Sequence, residues 1–189
     1  MSIKFNPKKG SWGEKFECGL LQQRVKVSFK HINEVRRHII VVIMEEIRLK
    51  PIGVAKNCEN RSRFGSFEDV VSEIVVDEEF TDALNGIDDY SHVIIVYWMD
   101  KINNYVITHR PQGNPEVPII GIFSCRCPQR PNPIGVTTVK LIERTRNRIK
   151  VRGLDILDGT PIIDIKPYWP VYDDVEDGRI PNWVNKLDI

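Results

Sequence analysis

The sequence lacks the marks of several common protein classes. Its apolar runs, such as Ile39–Met44, are far too short to cross a bilayer, and the lysine-rich N-terminus does not resemble a signal peptide. No G-x-G-x-x-G motif follows a strand pattern and no G-x-x-x-x-G-K-[ST] motif occurs, so neither a Rossmann cofactor site nor a P-loop is supported. The net charge is only +1, so contact with a nucleic acid would depend on local basic patches. We therefore expect a soluble, cytoplasmic protein with no membrane partner.

Cysteine is scarce, and its spacing is not that of a zinc finger or zinc ribbon. The four cysteines are Cys18, Cys58, Cys125 and Cys127, with no C-x-x-C pair. Cys125-x-Cys127 would suggest a metal site if His92 or His109 completed it. A tetrahedral site needs four well-placed ligands, however, and no other candidate has a helpful spacing. The sequence therefore predicts free thiols in a reducing compartment and no metal site.

The length of 189 residues suits one domain with an appendage. We expect an N-terminal extension of uncertain structure over residues 1–46, a barrel domain over 47–183 and a short tail over 184–189. Met44-Glu45-Glu46-Ile47 resembles a natural start, so residues 1–43 are hypothesised to be an upstream extension that arises from the choice of start site. Detection by mass spectrometry of endogenous peptides N-terminal to Met44 would contradict this hypothesis.

Short apolar runs recur along the chain at the even spacing of an all-β domain. The predicted strands are Ile47–Lys56, Val70–Val76, Val93–Met99, Ile119–Phe123, Val136–Ile142, Ile149–Leu154 and Ile162–Ile165. Val93–Met99 is the most apolar of them and is predicted to lie centrally. Asp77–Leu84 is predicted to form one or two helical turns, and Asp100–Pro118 a long loop. The pattern favours a mainly β barrel or sandwich with a few short helices and long loops.

The segment Ser124–Gly135 is the most unusual part of the chain. Its three prolines exclude a helix or an interior strand and reduce the entropy that is lost when the loop is ordered. Arg126, Arg130 and Asn132 would thus be held at little further cost, as in many functional loops. The alternative is a stiff connector whose arginines are merely solvated.

Two other polar segments offer candidate residues. Arg61 and Arg63 lie beside Phe64 in a turn-rich stretch, a mixture of charge and aromatic faces that suits RNA, although a solvated loop explains it equally well. Arg110 adds charge to the long loop. The run Asp158-Gly159-Thr160 is typical of an ordinary turn.

Three stretches resemble the TsaA-like family, also called TrmO. They are Val70–Asp77 with Ile87–Trp98, Gly121–Gly135 (G-I-F-S-C-R-C-P-Q-R-P-N-P-I-G) and Arg152–Tyr168 (R-G-L-D-I-L-D-G-T-P-I-I-D-I-K-P-Y). Gly121–Gly135 is referred to below as the first signature, its part Ser124–Gly135 as the signature loop, and Arg152–Tyr168 as the second signature. The likeness covers about Ile47 to Trp183. It implies a compact, non-Rossmann β-barrel that binds S-adenosylmethionine (SAM) and forms homodimers with the cofactor near the subunit interface. The activity it implies is N6-methylation of N6-threonylcarbamoyladenosine at position 37 of tRNA, in the anticodon loop.

The resemblance and the chemistry of the side chains together give candidate site residues. For the cofactor they are Arg126, Cys127, Pro128, Arg130, Asn132, Asp155, Leu157, Asp158, Gly159 and Thr160. For catalysis they are Arg130, Asp155, Lys166 and Tyr168, with Asp164 as a further candidate base. For the tRNA they are Arg61, Arg63, Arg110, Arg126 and Arg130, because a guanidinium group binds phosphate in a bidentate manner or stacks on a base.

The chain departs from the family pattern within the first signature. The family usually has Ala-Thr-Arg-Ser-Pro where this chain has Ser124-Cys125-Arg126-Cys127-Pro128, so two small polar residues are replaced by thiols. This leaves two alternatives to the tRNA methyltransferase. One is SAM-dependent methylation of another substrate, and the other is a SAM-binding or RNA-binding module without turnover.

Overall fold

The computed structural model describes residues 47–57 and 67–188. Arg48–Ile189 forms one compact unit. The hypothesis about residues 1–43 and the candidates Arg61 and Arg63 lie outside the described residues.

A closed six-stranded antiparallel barrel forms the body of the protein, as the strand spacing and the resemblance predicted. Its strands are β1 Gly53–Lys56, β2 Val71–Val76, β3 His92–Trp98, β6 Ile134–Thr145, β7 Arg148–Arg152 and β8 Pro161–Pro167. They follow the order β1-β2-β7-β6-β3-β8 around the barrel, and β8 pairs again with β1. Two further short strands, β4 Thr108–His109 and β5 Ile120–Gly121, pair only with each other. Closure leaves the barrel without a free edge for aggregation.

β3 lies between β6 and β8. Every strand of a closed barrel has two neighbours, so the central position predicted for the most apolar run has no counterpart in this fold. Val93, Ile95 and Tyr97 point inward and are buried, whereas the residues between them are partly exposed. Alternation at a period of two places every second side chain of a strand on the same face. One end of β3 therefore presents Tyr97 close to the loops that precede β6 and β8.

The core is built from aliphatic side chains on the inner face of the barrel. Fully buried members include Ile74, Ile95, Ile149, Leu154 and Ile162. β-Branched residues fit a pleated, half-buried surface well, which explains their abundance here.

The region before the signature loop differs from the prediction. Ile119–Phe123 was predicted to be a strand, but only Ile120–Gly121 pairs, and Ile122–Ser124 forms a 3-10 turn. Ile119 and Phe123 are 64% and 80% exposed, so this run does not enter the barrel. Apolar character alone did not reveal that the run pairs with a two-residue strand in the long loop.

Other predicted bounds were also wrong. Of the predicted strand Ile47–Lys56, only Gly53–Lys56 is a strand. β6 begins at Ile134 and continues to Thr145, so it is longer at both ends than predicted. The long loop Asp100–Pro118 contains β4 and a 3-10 turn at Pro111–Gly113.

The C-terminal residues contact the long loop. A 3-10 helix spans Asn182–Lys186, and the Lys186 carbonyl accepts a hydrogen bond from Asn114 Nδ2 at 3.0 Å. The Asp188 carbonyl accepts another from Gln112 Nε2 at 2.9 Å. Among the described residues there is no helix of the length and apolar character needed to span a membrane.

Candidate functional site

The signature loop is held by its own arginines. Arg130 Nη1 donates to the carbonyl oxygens of Ile122, at 3.1 Å, and Cys125, at 2.5 Å. Arg126 Nη2 donates to the Val136 carbonyl, at the beginning of β6. Both guanidinium groups thus fix the backbone of the loop and keep further N–H groups for a ligand.

Turns between the prolines complete the fold of the loop. The Arg130 N–H donates to the Pro128 carbonyl at 2.7 Å, and the Ile134 N–H donates to the Asn132 carbonyl at 2.8 Å. The Pro128 and Asn132 residues themselves are exposed. The loop therefore has a defined backbone and an open polar surface.

Cys125 and Cys127 are joined by a disulfide, so the prediction of free thiols is wrong for this pair. Their Cα atoms are 5.3 Å apart, within the range that a disulfide can bridge. The kinked backbone of the loop brings the two side chains together, and this could not be deduced from the spacing in the sequence. The Cys127 N–H also donates to Cys125 Sγ at 3.2 Å.

The second signature begins with a turn that lies against β1. Gly159 adopts φ +79°, which favours glycine, and its N–H donates to the Ala55 carbonyl at 2.9 Å. The buried Thr160 donates its hydroxyl to the Leu157 carbonyl at 2.8 Å. Asp158 Oδ1 accepts from the Asn57 N–H at 3.0 Å. The expected turn is thus present, and it is tied to the end of β1.

Tyr97 joins the two signatures and was missed by the sequence reasoning, which assigned it only to a strand. Its hydroxyl donates to the Asp155 carbonyl at 3.1 Å and lies 3.3 Å from Thr137 Oγ1. Burial raises the pKa of Tyr97 above its ordinary value of 10, the hydrogen bond from Thr137 opposes this rise, and the nearby charges of Asp155 and Arg126 act in opposite directions. The Tyr97 hydroxyl therefore stays protonated as a donor at neutral pH.

Gly135, the last residue of the first signature, makes room for this tyrosine. A Cβ atom at position 135 would lie 2.1 Å from Tyr97 Cε2 and 2.2 Å from Cζ, far inside van der Waals contact. Only glycine therefore allows the ring to lie against the backbone at the start of β6. The sequence itself offers only a weak signal for Tyr97, a tyrosine near the end of the most apolar predicted strand.

The four predicted catalytic residues do not lie close together in one chain. Arg130 and Asp155 lie at the Tyr97 end of β3, whereas the Tyr168 N–H donates to the carbonyl of His92, at the other end. Tyr97 lies five positions after His92 in the strand, so the two ends are about 17 Å apart. Lys166 pairs with Ile94 in the register of β8 and lies between them.

Lys166 and Tyr168 have local partners. Lys166 Nζ lies 2.6 Å from Asp164 Oδ2 in an exposed ion pair. The Tyr168 hydroxyl donates to Asp174 Oδ1, and this hydrogen bond raises the pKa of Tyr168. Its ring packs edge-on against His92, with centroids 6.2 Å apart.

Arg110 fixes its own loop in the same way as the signature arginines. Its Nη1 atom donates to the carbonyls of Pro115, at 3.2 Å, and Val117. A surface depression of about 310 Å³ lies elsewhere on the barrel and includes none of the predicted site residues. It is lined by Glu78, Glu79, Thr81, Asp82, Arg146 and Asn147. The chemistry of the signatures is therefore a better guide to the site than the size of this depression.

Comparison with known proteins identifies the family. Residues 62–174, more than half of the chain, match the family described as the tRNA-methyltransferase O N-terminal domain. The chain belongs to this family. The resemblance stated from the two signatures is thereby confirmed.

Relatives in the family carry two kinds of name. An S-adenosyl-L-methionine-binding protein of Archaeoglobus fulgidus is 47% identical over 129 residues, which cover 66% of this chain and 91% of that protein. A mouse tRNA (adenine(37)-N6)-methyltransferase is 36% identical over 108 residues, which cover 56% of this chain but only 25% of the mouse protein.

Solved structures of the family have the same barrel. The crystal structure of TrmO from Pseudomonas aeruginosa matches with a TM-score of 0.61 and 28% identity. The match covers 74% of this chain and 62% of that one. The chain therefore spans less than two thirds of the solved relative's length.

Proposed function

We propose that this protein is a SAM-dependent methyltransferase that methylates N6 of threonylcarbamoyladenosine at position 37 of tRNA, in the cytoplasm. The observation that carries the proposal is the contact of Tyr97 with both family signatures, through Gly135 and Thr137 on one side and the Asp155 carbonyl on the other. Family membership and the names of the relatives support the cofactor and the class of substrate.

The cofactor is proposed to lie between the two signatures, at the Tyr97 end of the barrel. SAM carries a positive sulfonium, an amino-acid group and an adenosine. The exposed carboxylates of Asp155 and Asp158 would attract the positive groups or accept from hydroxyls. The remaining contacts fall to the backbone of the two turns. They comprise Arg126, Cys127, Pro128, Arg130 and Asn132 in the loop, and Leu157, Gly159 and Thr160 in the second signature.

The rigidity of the loop suits methyl transfer. An in-line displacement gains mainly from alignment of the reacting atoms and from fixed polar groups that match the moving charge. Arg126 and Arg130 fix the loop through backbone carbonyls, so the loop does not have to order itself when the cofactor binds. Asp155 stands beside this loop as the candidate acceptor of the N6 proton.

The tRNA is proposed to contact the same end through its phosphates. Arg126 is exposed beside the site, and Arg130 and Arg110 are half-buried with one nitrogen each engaged by carbonyls. Arg61 and Arg63 remain candidates from the sequence. The threonyl carboxylate of the substrate is a further anion that an arginine would bind.

A homodimer is proposed to complete the site. The β4–β5 ribbon next to the loop exposes Ile107, Ile119 and Phe123 at 68%, 64% and 80%. Contiguous exposed apolar side chains of this kind mark interaction surfaces. Lys166 and Tyr168 lie apart from Arg130 and Asp155 within one chain, so a site shared by two subunits is one way in which all four residues would act together.

The test is methylation of tRNA that carries threonylcarbamoyladenosine but lacks the methyl group. After incubation with SAM, mass analysis of the nucleosides is expected to show the added methyl group. Arg130→Ala is expected to abolish this product while the circular dichroism spectrum stays unchanged. The matched control is Arg148→Ala, which removes an exposed arginine of the barrel wall and is expected to keep activity.

Wild-type turnover by Arg130→Ala would refute the assignment of Arg130. If calorimetry shows SAM binding to the wild-type protein and no methylated nucleoside forms, the substrate proposal is wrong and methylation of another substrate or a binding role replaces it.

A further inference from the structure

Three potential metal ligands converge beside the signature loop. The Nε2 or Nδ1 atom of His109 and the Sγ atoms of Cys125 and Cys127 all lie within 4.8 Å of one another. The histidine comes from β4 and the cysteines from the loop, 16 and 18 positions later in the sequence. The sequence analysis predicted no metal site, because the spacing of these residues along the chain does not show that they lie close together in the fold.

The β4–β5 ribbon is what places the histidine there. His109 pairs with Ile120 in the register of the ribbon, and the Ile122 N–H donates to the Ile107 carbonyl at 2.9 Å. These bonds hold β4 alongside the chain that leads into Cys125. The imidazole is therefore positioned by backbone pairing and not by a flexible side chain alone.

The imidazole has an unmet bonding capacity. Within the described part of the chain, His109 Nε2 is the buried side-chain nitrogen or oxygen that has no hydrogen-bond partner. Buried polar atoms are normally paired, so an unpaired one points to a role such as binding an ion. An imidazole nitrogen next to two sulfur atoms is a donor set that zinc prefers.

Fixed polar groups of the loop lie around the sulfurs. The Cys127 N–H donates to Cys125 Sγ at 3.2 Å. The Arg130 guanidinium donates to the Cys125 carbonyl at 2.5 Å and so holds the backbone that carries this sulfur. The group is half-buried, which shields an ion without closing its access.

We propose that the reduced protein binds one zinc ion through His109, Cys125 and Cys127. In the structure the two sulfurs form a disulfide, so reduction comes first. A thiol reductant passes two electrons and two protons to the disulfide, becomes a disulfide itself and leaves two cysteine thiols. Zinc then displaces the two thiol protons and takes both sulfurs and the imidazole, with water in the fourth position. The ion and the disulfide exclude each other.

The experiment measures metal binding without SAM or tRNA, so its failure would leave the methyltransferase proposal intact. The full chain with Cys18→Ser and Cys58→Ser keeps only the two relevant thiols. It is reduced anaerobically with a phosphine, which ends as the phosphine oxide, and the excess is removed. Titration with Co²⁺ is expected to give a thiolate-to-cobalt absorption band that saturates at one ion per chain and disappears when Zn²⁺ is added.

Variants separate the site from chance binding. In the same background, His109→Ala is expected to weaken Co²⁺ binding by more than about 100-fold, since loss of a direct ligand exceeds the effect of losing an outer partner. Cys125→Ser with Cys127→Ser is expected to remove the band. His92→Ala is the control, because His92 contacts Ser91 Oγ at 2.9 Å and lies outside the group. The disulfide form is expected to bind no Co²⁺.

Three results would overturn the proposal. They are absence of the band in the reduced protein, an equal affinity in His109→Ala, and equal binding by the disulfide form. Circular dichroism of each variant identifies one that does not fold. If His109→Ala does not fold, the variant with both Cys125→Ser and Cys127→Ser tests the site instead. Co²⁺ binding retained by this double cysteine variant would also overturn the proposal.

Discussion

The two family signatures are stabilised in different ways. The loop before β6 is held by guanidinium groups that bind carbonyls, by prolines and by a disulfide. The second signature is held by the barrel, since β8 pairs with β1 and β3 and buries Ile162 completely. We therefore expect changes in β8 to affect mainly the stability of the fold and changes in the loop to affect mainly function.

The largest effect on stability is expected for Ile162→Ala in β8. Truncating a completely buried isoleucine leaves a cavity and lowers the free energy of unfolding by about 4 kcal/mol. Urea denaturation measures the loss. The control is Ile163→Ala on the outer face of the same strand, where the half-buried side chain is expected to cost about 1 kcal/mol. Equal losses would contradict the inward orientation of Ile162.

The next effect is expected for Gly135→Ala, at the junction of the loop and the barrel. The new methyl group would meet the Tyr97 ring at 2.1 Å, and overpacking of this kind lowers the free energy of unfolding by about 2 kcal/mol. Gly121→Ala is the control, because its Cβ would meet nothing nearer than 4.0 Å. A neutral Gly135→Ala would show that the ring can move aside.

A smaller effect is expected for Tyr97→Phe, which tests the link between the signatures. It removes the hydrogen bond to the Asp155 carbonyl and should cost about 1 kcal/mol at neutral pH. If Tyr97 positions the site, methyl transfer should fall by more than this loss of stability explains. Tyr105→Phe, at a tyrosine that is 59% exposed, is the control.

The stability difference between the wild type and Tyr97→Phe is expected to depend on pH, and the sign of this dependence follows from the raised pKa of Tyr97. Above about pH 10 the unfolded chain loses this proton while the folded protein keeps it, so wild-type stability falls as the pH rises. The phenylalanine variant lacks this contribution. The stability difference between the two proteins is therefore expected to narrow between neutral pH and about pH 11, as measured by urea denaturation. An unchanged difference would contradict the burial of the Tyr97 hydroxyl.

The smallest effect is expected for Lys166→Ala, which breaks the exposed ion pair with Asp164. Surface pairs contribute little, so the free energy of unfolding should change by less than about 0.5 kcal/mol. Methyl transfer is the decisive readout. Lost activity with unchanged stability would support a role in catalysis, whereas unchanged activity would leave Lys166 as a surface ion pair.

Strand patterns predicted much of this fold correctly. Val71–Val76, His92–Trp98 and Glu78–Leu84 lie within a residue or so of their predicted bounds, because alternation and apolar character reflect burial directly. Ile119–Phe123 failed because its partner is a two-residue strand inside a polar loop. Pairing between distant segments leaves no periodic signal in either one.

The candidate site was likewise predicted only in part. The sequence showed which segments carry the chemistry, since prolines, arginines and the Asp-Gly turn have local conformational effects. It did not show that Arg130 binds carbonyls of its own loop, nor that Tyr97 contacts both signatures.

Alternating strands and long signature segments are properties of neighbouring residues, so the sequence was enough to predict the class of fold and the family. The contact of Tyr97 with Gly135, and the position of His109 beside Cys125 and Cys127, became visible only in the folded chain. These contacts depend on closure of the barrel and pairing of the β4–β5 ribbon. Barrel closure and ribbon pairing both bring together residues that are far apart in the sequence. Backbone hydrogen bonds between those distant strands fix the geometry of the contacts.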